Sequence, residues 1–474
     1  MCVMTKSLPE AYQAAPIHLK LDQRFYRPVK AAQFPEHVLR YRNDKAAADV
    51  GLNSLDDAAW ISHFGHFDPL PGNIQTPLAL CYHGHQFGQY NPEIGDGRGF
   101  LFAQMQSADG RVLDLGTKGS GRTPFSRTAD GRLTLKGAVR EVLATEMLTA
   151  LGVDTSKSFS VIETGEALER HDEPSPTRSA VLVRLSHGNI RIGSFQRLSY
   201  ADDSEGMEML LRHTARHYYA DQLDAEADLA AFAPAFLGVV GDKIARTTGC
   251  WLAAGFVHGV LNTDNFNVTG ESFDYGPWRF LPHFDPGFTA AYFDHAGRYA
   301  YGRQADASMW AVCRLADCLI RFAGQEVLEA ALHDFYPKME ASLARQLAWR
   351  LGLQPVADLE TAQELCRQFY AAARETKGGF DQILHDFRGG QQRRGDYAPE
   401  AVSGLLDVMG KFTAAKDVDA AYFDRPSPVT MTIDEVEAVW APIASDDDWS
   451  AFNLKIEQVR EMGRALGPIR TETN

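Results

Sequence analysis

Apolar residues recur at two different periods along the chain, and the switch between them divides it. From about residue 94 the pattern is that of strands. "GRGFLFAQMQ" and "RVLDLGTKG" are two extended runs joined by "SADG", a hairpin turn signal. "LTLKGAVREVLATEMLTALG" then follows the helical period: Leu135, Ala138, Val139, Val142, Leu143 and Leu148 fall near one stripe, and Gly152 supplies a stop. "SFSVIET" and "SAVLVRLS" predict two more strands, with the polar, Pro-containing "GEALERHDEPSPTR" as a surface loop between them. After about residue 200 the helical period takes over. Asp203 or Ser204 can cap "EGMEMLLRHTARHYYADQL", and "LAAFAPAFLGVVGDKIARTTGCWLAAGFV", "ASMWAVCRLADCLIRFAG" and "QEVLEAALHDFYPKMEASLARQLAWRLG" predict long helices. Residues 1–90 mix short helical and extended patterns broken by Pro. A strand-rich half with one central helix, followed by a helical half, is an α+β two-lobe architecture.

Composition narrows the function classes. The 474 residues allow two or three domains, with ordinary globular proportions of 45% hydrophobic and 23% charged residues. A net charge of -15 argues against nucleic-acid or anionic-membrane partners, which need a basic surface, but leaves room for a local cation cluster around ATP. The six cysteines form no CxxC pair, so neither a zinc site nor a disulfide framework is expected. "MCVMTKSLPEAY" lacks an apolar leader core, and no run of about 18 apolar residues occurs. The expected location is a reducing cytoplasm.

The chemistry concentrates at a few motifs. "EIGDGRGF" places Gly95, Gly97 and Gly99 around Arg98, where bare backbone can approach phosphates or simply make a tight turn. It is neither a Walker A loop nor a Rossmann fingerprint. Lys118 ends the second strand, and the following helix offers Glu141, with Glu146 as a competitor, in the manner of the protein-kinase Lys–Glu pair. In "FVHGVLNTDNFNV" Asn265 stands seven residues after His258, as the metal-binding Asn does in a kinase catalytic loop. Val260 occupies the position of the usual base, and Asp264 is a carboxylate that can replace it. After an expected short hairpin, "FNVTGESF", comes Asp274 in "FDYG", matching the kinase metal-binding Asp; Asp285 in "HFDPGF" reads better as a turn. Order and spacing therefore point to a protein-kinase-like two-lobe fold: an N-terminal extension (1–90), an N-lobe (91–198) and a helical C-lobe (199–474). The missing base leaves three readings open: nucleotidyl transfer, an atypical kinase that uses Asp264, and a nucleotide-binding pseudokinase scaffold.

Together with "YHGHQFGQYNPEIGDGRG", "DLGTKGSGRTPFSRTADGR", "REVLATEMLTALGV", "IRIGSF" and "HGVLNTDNFNVTGESFDYGPW", the chain resembles the selenoprotein O (SelO/YdiU) family over residues 77–290, and more weakly before. The resemblance implies a kinase fold that binds ATP in a flipped orientation. It also implies transfer of AMP, with UMP as a variant, to Ser, Thr or Tyr of proteins, with Mg²⁺ or Mn²⁺ required. It assigns Gly95, Gly97 and Arg98 to the nucleotide loop, Lys118 and Glu141 to the phosphate-binding pair, and Asp130 and Gly131 to further nucleotide contacts. Arg184 and Arg191 become phosphate-embracing arginines, Asp264 the proton acceptor, and Asn265 and Asp274 the metal ligands, with Asp274 also near the phosphates. "TPFSR" is a candidate lid, whereas His83, His85 and Gln86 receive no chemical role. Two departures stand out. The chain has no Cys after Cys366, which puts a C-terminal redox switch in doubt, and by its motifs the region after about 375 is expected to match the family poorly.

Overall fold

The computed structural model describes residues 12–171, 173–416 and 418–469. Cys2, most of the opening segment read for a leader and the closing residues lie outside them. Eight strands form one antiparallel sheet: β1 (Tyr26–Pro28), β2 (Val38–Arg42), β3 (Leu78–Leu80), β6 (Leu101–Gln106), β7 (Val112–Lys118), β8 (Leu133–Thr134), β9 (Lys157–Leu168) and β10 (Thr177–Ser186). Their order is β1-β3-β6-β7-β10-β9-β2, with β8 on β10. Two small pairs stand apart: β4 (Gly84–Gln86) with β5 (Gln89–Asn91), and β11 (Phe256–Val257) with β12 (Arg279–Phe280). β1, β2 and β3 come from residues 1–90, so that segment builds the same sheet as the hairpin after residue 94.

Strand alternation decides which side chains reach the site. In β10, Val181, Val183 and Leu185 face an aromatic core of Trp60, Phe64, Phe102 and Phe159, covered by α1 (Asp44–Asp49) and α2 (Asp57–Phe64). Ala180 and Leu182 face the opposite side, against α3 (Leu135–Ala150). Arg184 shares that parity. So does Lys118 in β7, whose Leu113 and Leu115 point into the aromatic core; Lys118 pairs in register with Leu182. The sheet thus delivers both cations to the face that α3 covers. Thr134 caps α3 by accepting the Gly137 N–H at 3.1 Å, and the stripe Leu135, Ala138, Val139, Val142, Leu143, Leu148 is fully buried.

The helical half comprises α4 (Ile192–Tyr200), α5 (Ser204–Tyr218), α6 (Leu229–Ala253), α7 (Gln304–Leu319), α8 (Gln325–Ala331), α9 (Phe335–Arg350), α10 (Leu359–Thr376), α11 (Phe380–Asp386), α12 (Pro399–Met409), α13 (Ile433–Asp446) and α14 (Ser450–Leu466). α6 is its centre, packed by α7, α8 and α9, while α13 and α14 return to α3. Among the described residues no helix is long and apolar enough to cross a membrane, and five cysteines are free.

Four local expectations change. "GEALERHDEPSPTR" is strand at both ends: Leu168 pairs with Thr177, which leaves residues 169–176 as the loop. The long helix expected from "QEVLEAALHDFYPKMEASLARQLAWRLG" is two, because Pro337 has no N–H to donate and fits only in a first turn, here that of α9. "FNVTGESF" is not a hairpin; Asn267 bridges to Arg191 and Ser272 to Thr155, around a turn at Gly270 (φ +75°). α4 was not anticipated as a helix, being short, with only Ile192, Phe195 and Leu198 fully buried among its larger apolar residues.

Candidate active site

A cavity of about 380 Å³ opens between the sheet and the helical half. Gly95, Gly97, Arg98, Lys118, Arg184, Arg191, Asp264 and Asp274 all line it, gathered from segments up to 179 residues apart. Asp274 is the hub. Its Oδ1 lies 2.7 Å from Lys118 Nζ and 3.2 Å from Arg184 Nη1. Its backbone adopts φ +64°, a left-handed conformation that a non-glycine residue holds only when its surroundings over-determine it. Burial raises the pKa of this carboxyl, but Lys118, Arg184, Arg191 and Arg98 outweigh burial and hold it well below the usual range. Just before it, the Phe273 carbonyl lies 3.0 Å from His258 Nε2, so the buried His258 anchors the segment rather than touching the cleft.

Behind Lys118 lies Glu141 on α3, a buried ion pair. The competitor Glu146 is engaged elsewhere, with Arg460 at 2.6 Å and the Tyr41 hydroxyl. Arg191 precedes α4, donates to the Asp264 carbonyl at 3.0 Å, approaches Asp96 Oδ1 at 3.3 Å, and lies over the rings of Tyr82 and Phe273.

The glycines are explained by close packing. A Cβ on Gly99 would sit 2.0 Å from the Thr117 carbonyl, and one on Gly95 2.5 Å from the Phe125 ring. Phe125 belongs to the "TPFSR" loop, which is tied down by Thr123 Oγ1 donating to the Asp96 carbonyl at 2.6 Å and Ser126 Oγ donating to the Gly97 carbonyl. Phe125, Ser126 and Arg127 themselves line the cavity. The lining therefore carries five cations (Arg98, Lys118, Arg127, Arg184, Arg191) against three carboxylates (Asp96, Asp264, Asp274). In a chain of net charge -15 that local excess is the signature of a site for a polyanion.

Asp264 and Asn265 sit in the turn Thr263–Asn265. Asp264 is buried, its Oδ1 has no hydrogen-bond partner, and burial, against the opposing charge of Arg191, pushes its pKa up to about 6. Asn265 donates its amide N–H to the Val260 carbonyl at 2.9 Å, which leaves its Oδ1 as the ligating end. Among the described residues no cluster of three or more His, Cys, Asp or Glu could hold a metal. Of the expected metal pair only Asp274 lines the cavity; Asn265 follows Asp264 in the chain but faces a small neighbouring pocket with Phe266, Gly270 and Glu271. An amide and a carboxylate are oxygen donors of the kind that suits a hard cation completing its shell with phosphate and water. Asp130 and Gly131 do not line the cavity. Asp130 pairs with Arg170 at 2.8 Å on the surface, and the Gly131 carbonyl accepts the Gly121 N–H at 3.1 Å, bracing the rim loop. Asp285 accepts the Gly287 N–H at 2.8 Å in a turn.

Tyr82, Gln86 and Asp96 are polar lining residues to which no role had been assigned. Asp96 carried a readable signal, an acid between two glycines of the loop; the other two carried none.

Comparison with known proteins shows the family. The family model described as "Protein adenylyltransferase SelO" matches residues 10–460, and so takes in most of the region after about 375 that the motifs alone had set apart from the family. Proteins named protein nucleotidyltransferase YdiU are similar along nearly the whole length. The one from Synechocystis sp. is 39% identical over 93% of this chain and 96% of its own. That from Gloeobacter violaceus is 41% identical over 94% of both. That from Vibrio cholerae is 33% identical over 85% and 79%. A match over nearly the whole chain means that the chain belongs to the protein adenylyltransferase SelO family.

Proposed function

We propose that this enzyme transfers the adenylyl group of ATP to a Ser, Thr or Tyr hydroxyl of other proteins. The observation that carries the reading is the convergence of five cations on one cavity beside a buried, partly neutralised carboxylate, Asp264, with no carboxylate where a kinase keeps its base. The acceptor hydroxyl oxygen attacks the α-phosphorus, the bond to the β-phosphate oxygen breaks, and pyrophosphate leaves. The proton passes to the Asp264 carboxylate. Lys118, Arg98, Arg184 and Arg191 hold the phosphates and neutralise the charge that builds on the leaving group, the electrostatic contribution that dominates phosphoryl-type transfers. Glu141 fixes Lys118; Gly95 and Gly97 let the loop backbone come close; Asp130 and Gly131 support the rim loop. Asn265 and Asp274 would hold Mg²⁺ or Mn²⁺, which supplies charge neutralisation across the phosphates when bound. In this reading residues 91–198 and 199–474 are the lobes of a protein-kinase-like fold in the cytoplasm, and residues 1–90 an extension that widens the N-lobe sheet.

The test is mass spectrometry of acceptor proteins after incubation with ATP and either metal. An adenylyl adduct on a hydroxyl residue is expected; a phosphate adduct would contradict the reading. The same assay carries a pH prediction. Asp264 accepts a proton only when ionised, so kcat/KM rises with pH through about 6, the pKa of Asp264, and falls about tenfold per pH unit below it. A flat acid limb would remove Asp264 from the role.

A further inference from the structure

The motif "YHGHQFG" contributes little to the cavity lining, yet it packs where the chemistry is aimed. The β4–β5 hairpin stands outside the main sheet, against α4 and the turn Thr263–Asn265. That turn has little to hold itself: one backbone bond, Asn265 N–H to the Asn262 carbonyl at 2.9 Å, closes it. Its orientation must come from outside.

Arg191 on the Asp264 carbonyl and the Asn265 amide on the Val260 carbonyl hold its far end, and three hydrogen bonds hold Thr263. The His85 N–H donates to Thr263 Oγ1 at 2.7 Å. The Thr263 hydroxyl donates to Gln196 Oε1 at 2.6 Å. Gln196 Nε2 donates to His85 Nδ1 at 2.7 Å. The bonds close a ring through the hairpin, α4 and the turn. The ring fixes which end of the Gln196 amide faces which partner, and it requires an unprotonated Nδ1 on His85. Thr263 is fully buried and uses its hydroxyl as both donor and acceptor. Neighbouring contacts extend the grip. Asn262 Oδ1 takes the Phe87 N–H at 3.0 Å and the Tyr299 hydroxyl at 2.9 Å. The Gln86 side chain reaches the Asp264 carboxylate. A Cβ on Gly84 would lie 2.7 Å from Asp264 Oδ1, so a side chain there would push the Asp264 carboxylate aside.

We propose that His85, Gln196 and Thr263 are positioning residues for adenylyl transfer: their closed ring of hydrogen bonds fixes the turn that aims Asp264 into the cleft. The proposal rests on the reading of Asp264 as proton acceptor. A ring in which every donor and acceptor is used has one low-energy arrangement, which is what a short turn carrying a reacting group needs.

Thr263→Val keeps the side-chain shape and removes the hydroxyl; Gln196→Met removes the other link. Each is expected to lower kcat for transfer from α-labelled ATP by about 10²-fold, the cost of a misplaced group. Neither residue lines the cavity, so the ATP Kd, measured by titration of the same proteins, stays within about twofold. Thr263→Ser restores the hydroxyl and most of the rate. The double variant is no slower than about the slower single, because the ring acts as a unit. Full rates in both single variants overturn the proposal. So does Thr263→Ser as slow as Thr263→Val, or ATP affinity falling in step with rate. If Thr263→Val fails to fold, Gln196→Met and Thr263→Ser decide. The unaltered protein runs in parallel. No label transfer there overturns the reading of the site, and the proposal with it; transfer there together with unimpaired variants overturns only the ring's role.

Discussion

Asp274→Asn is expected to reduce adenylyl transfer by about 10³-fold or more, the scale on which removing a charged group from a phosphoryl-transfer site acts. The substitution keeps the volume of the side chain and removes its charge, so the loss reports electrostatics more than packing. In the protein as it stands, Asp274 accepts Lys118 and Arg184 and holds its carboxyl ionised through those cations. Without the charge the two cations face each other with no anion between them, and the carboxylate of the candidate metal pair is gone. A quarter of the Asp274 side chain is exposed, so solvent screens part of the repulsion and the fold should survive. Rate measurements with saturating ATP and increasing Mg²⁺ or Mn²⁺ check this. A variant that regains full activity at high metal would retain the metal site without Asp274, and full activity at ordinary metal would remove Asp274 from the mechanism.

Lys118→Ala is expected to cost about 10²–10³-fold in kcat, the effect of deleting one preorganised donor from a charge-stabilising site. It also strikes stability. Lys118 and Glu141 are both buried, and the second oxygen of Glu141 already lacks a partner. Removing one member of a buried pair leaves the other uncompensated, at a cost of about 3–5 kcal/mol. The two effects separate in the double variant Lys118→Ala/Glu141→Gln. Neutralising the stranded acid recovers part of the unfolding free energy, read by denaturant titration, whereas activity stays lost. Recovery of activity along with stability would mean that Lys118 serves only the fold.

Much of this site was legible in the sequence because its parts sit on regular elements. Lys118 could be placed because it ends a readable strand, and the following helix offered Glu141 and Glu146 as partners; only the packing of α3, with Glu146 taken by Arg460, separates the two. The "FDYG" signal marked Asp274. What stayed hidden depends on contacts between segments far apart. Arg191 meets Asp96 across 95 residues and His85 meets Thr263 across 178, and no local period encodes either encounter. The same reason explains the failed hairpin at "FNVTGESF": Asn267 and Ser272 find partners in Arg191 and Thr155, so local alternation there described the strands wrongly. Asp130 and Gly131 show the converse, motif residues that brace a loop beside the cavity instead of lining it.

The most direct test of the central claim, that this cleft attacks the α-phosphorus, is a parallel incubation of the protein and acceptor proteins with ATP labelled at either the α- or the γ-phosphate. The account predicts label in protein from the α-position alone, with pyrophosphate released, and loss of that label in Asp274→Asn. Label arriving from the γ-position would contradict it.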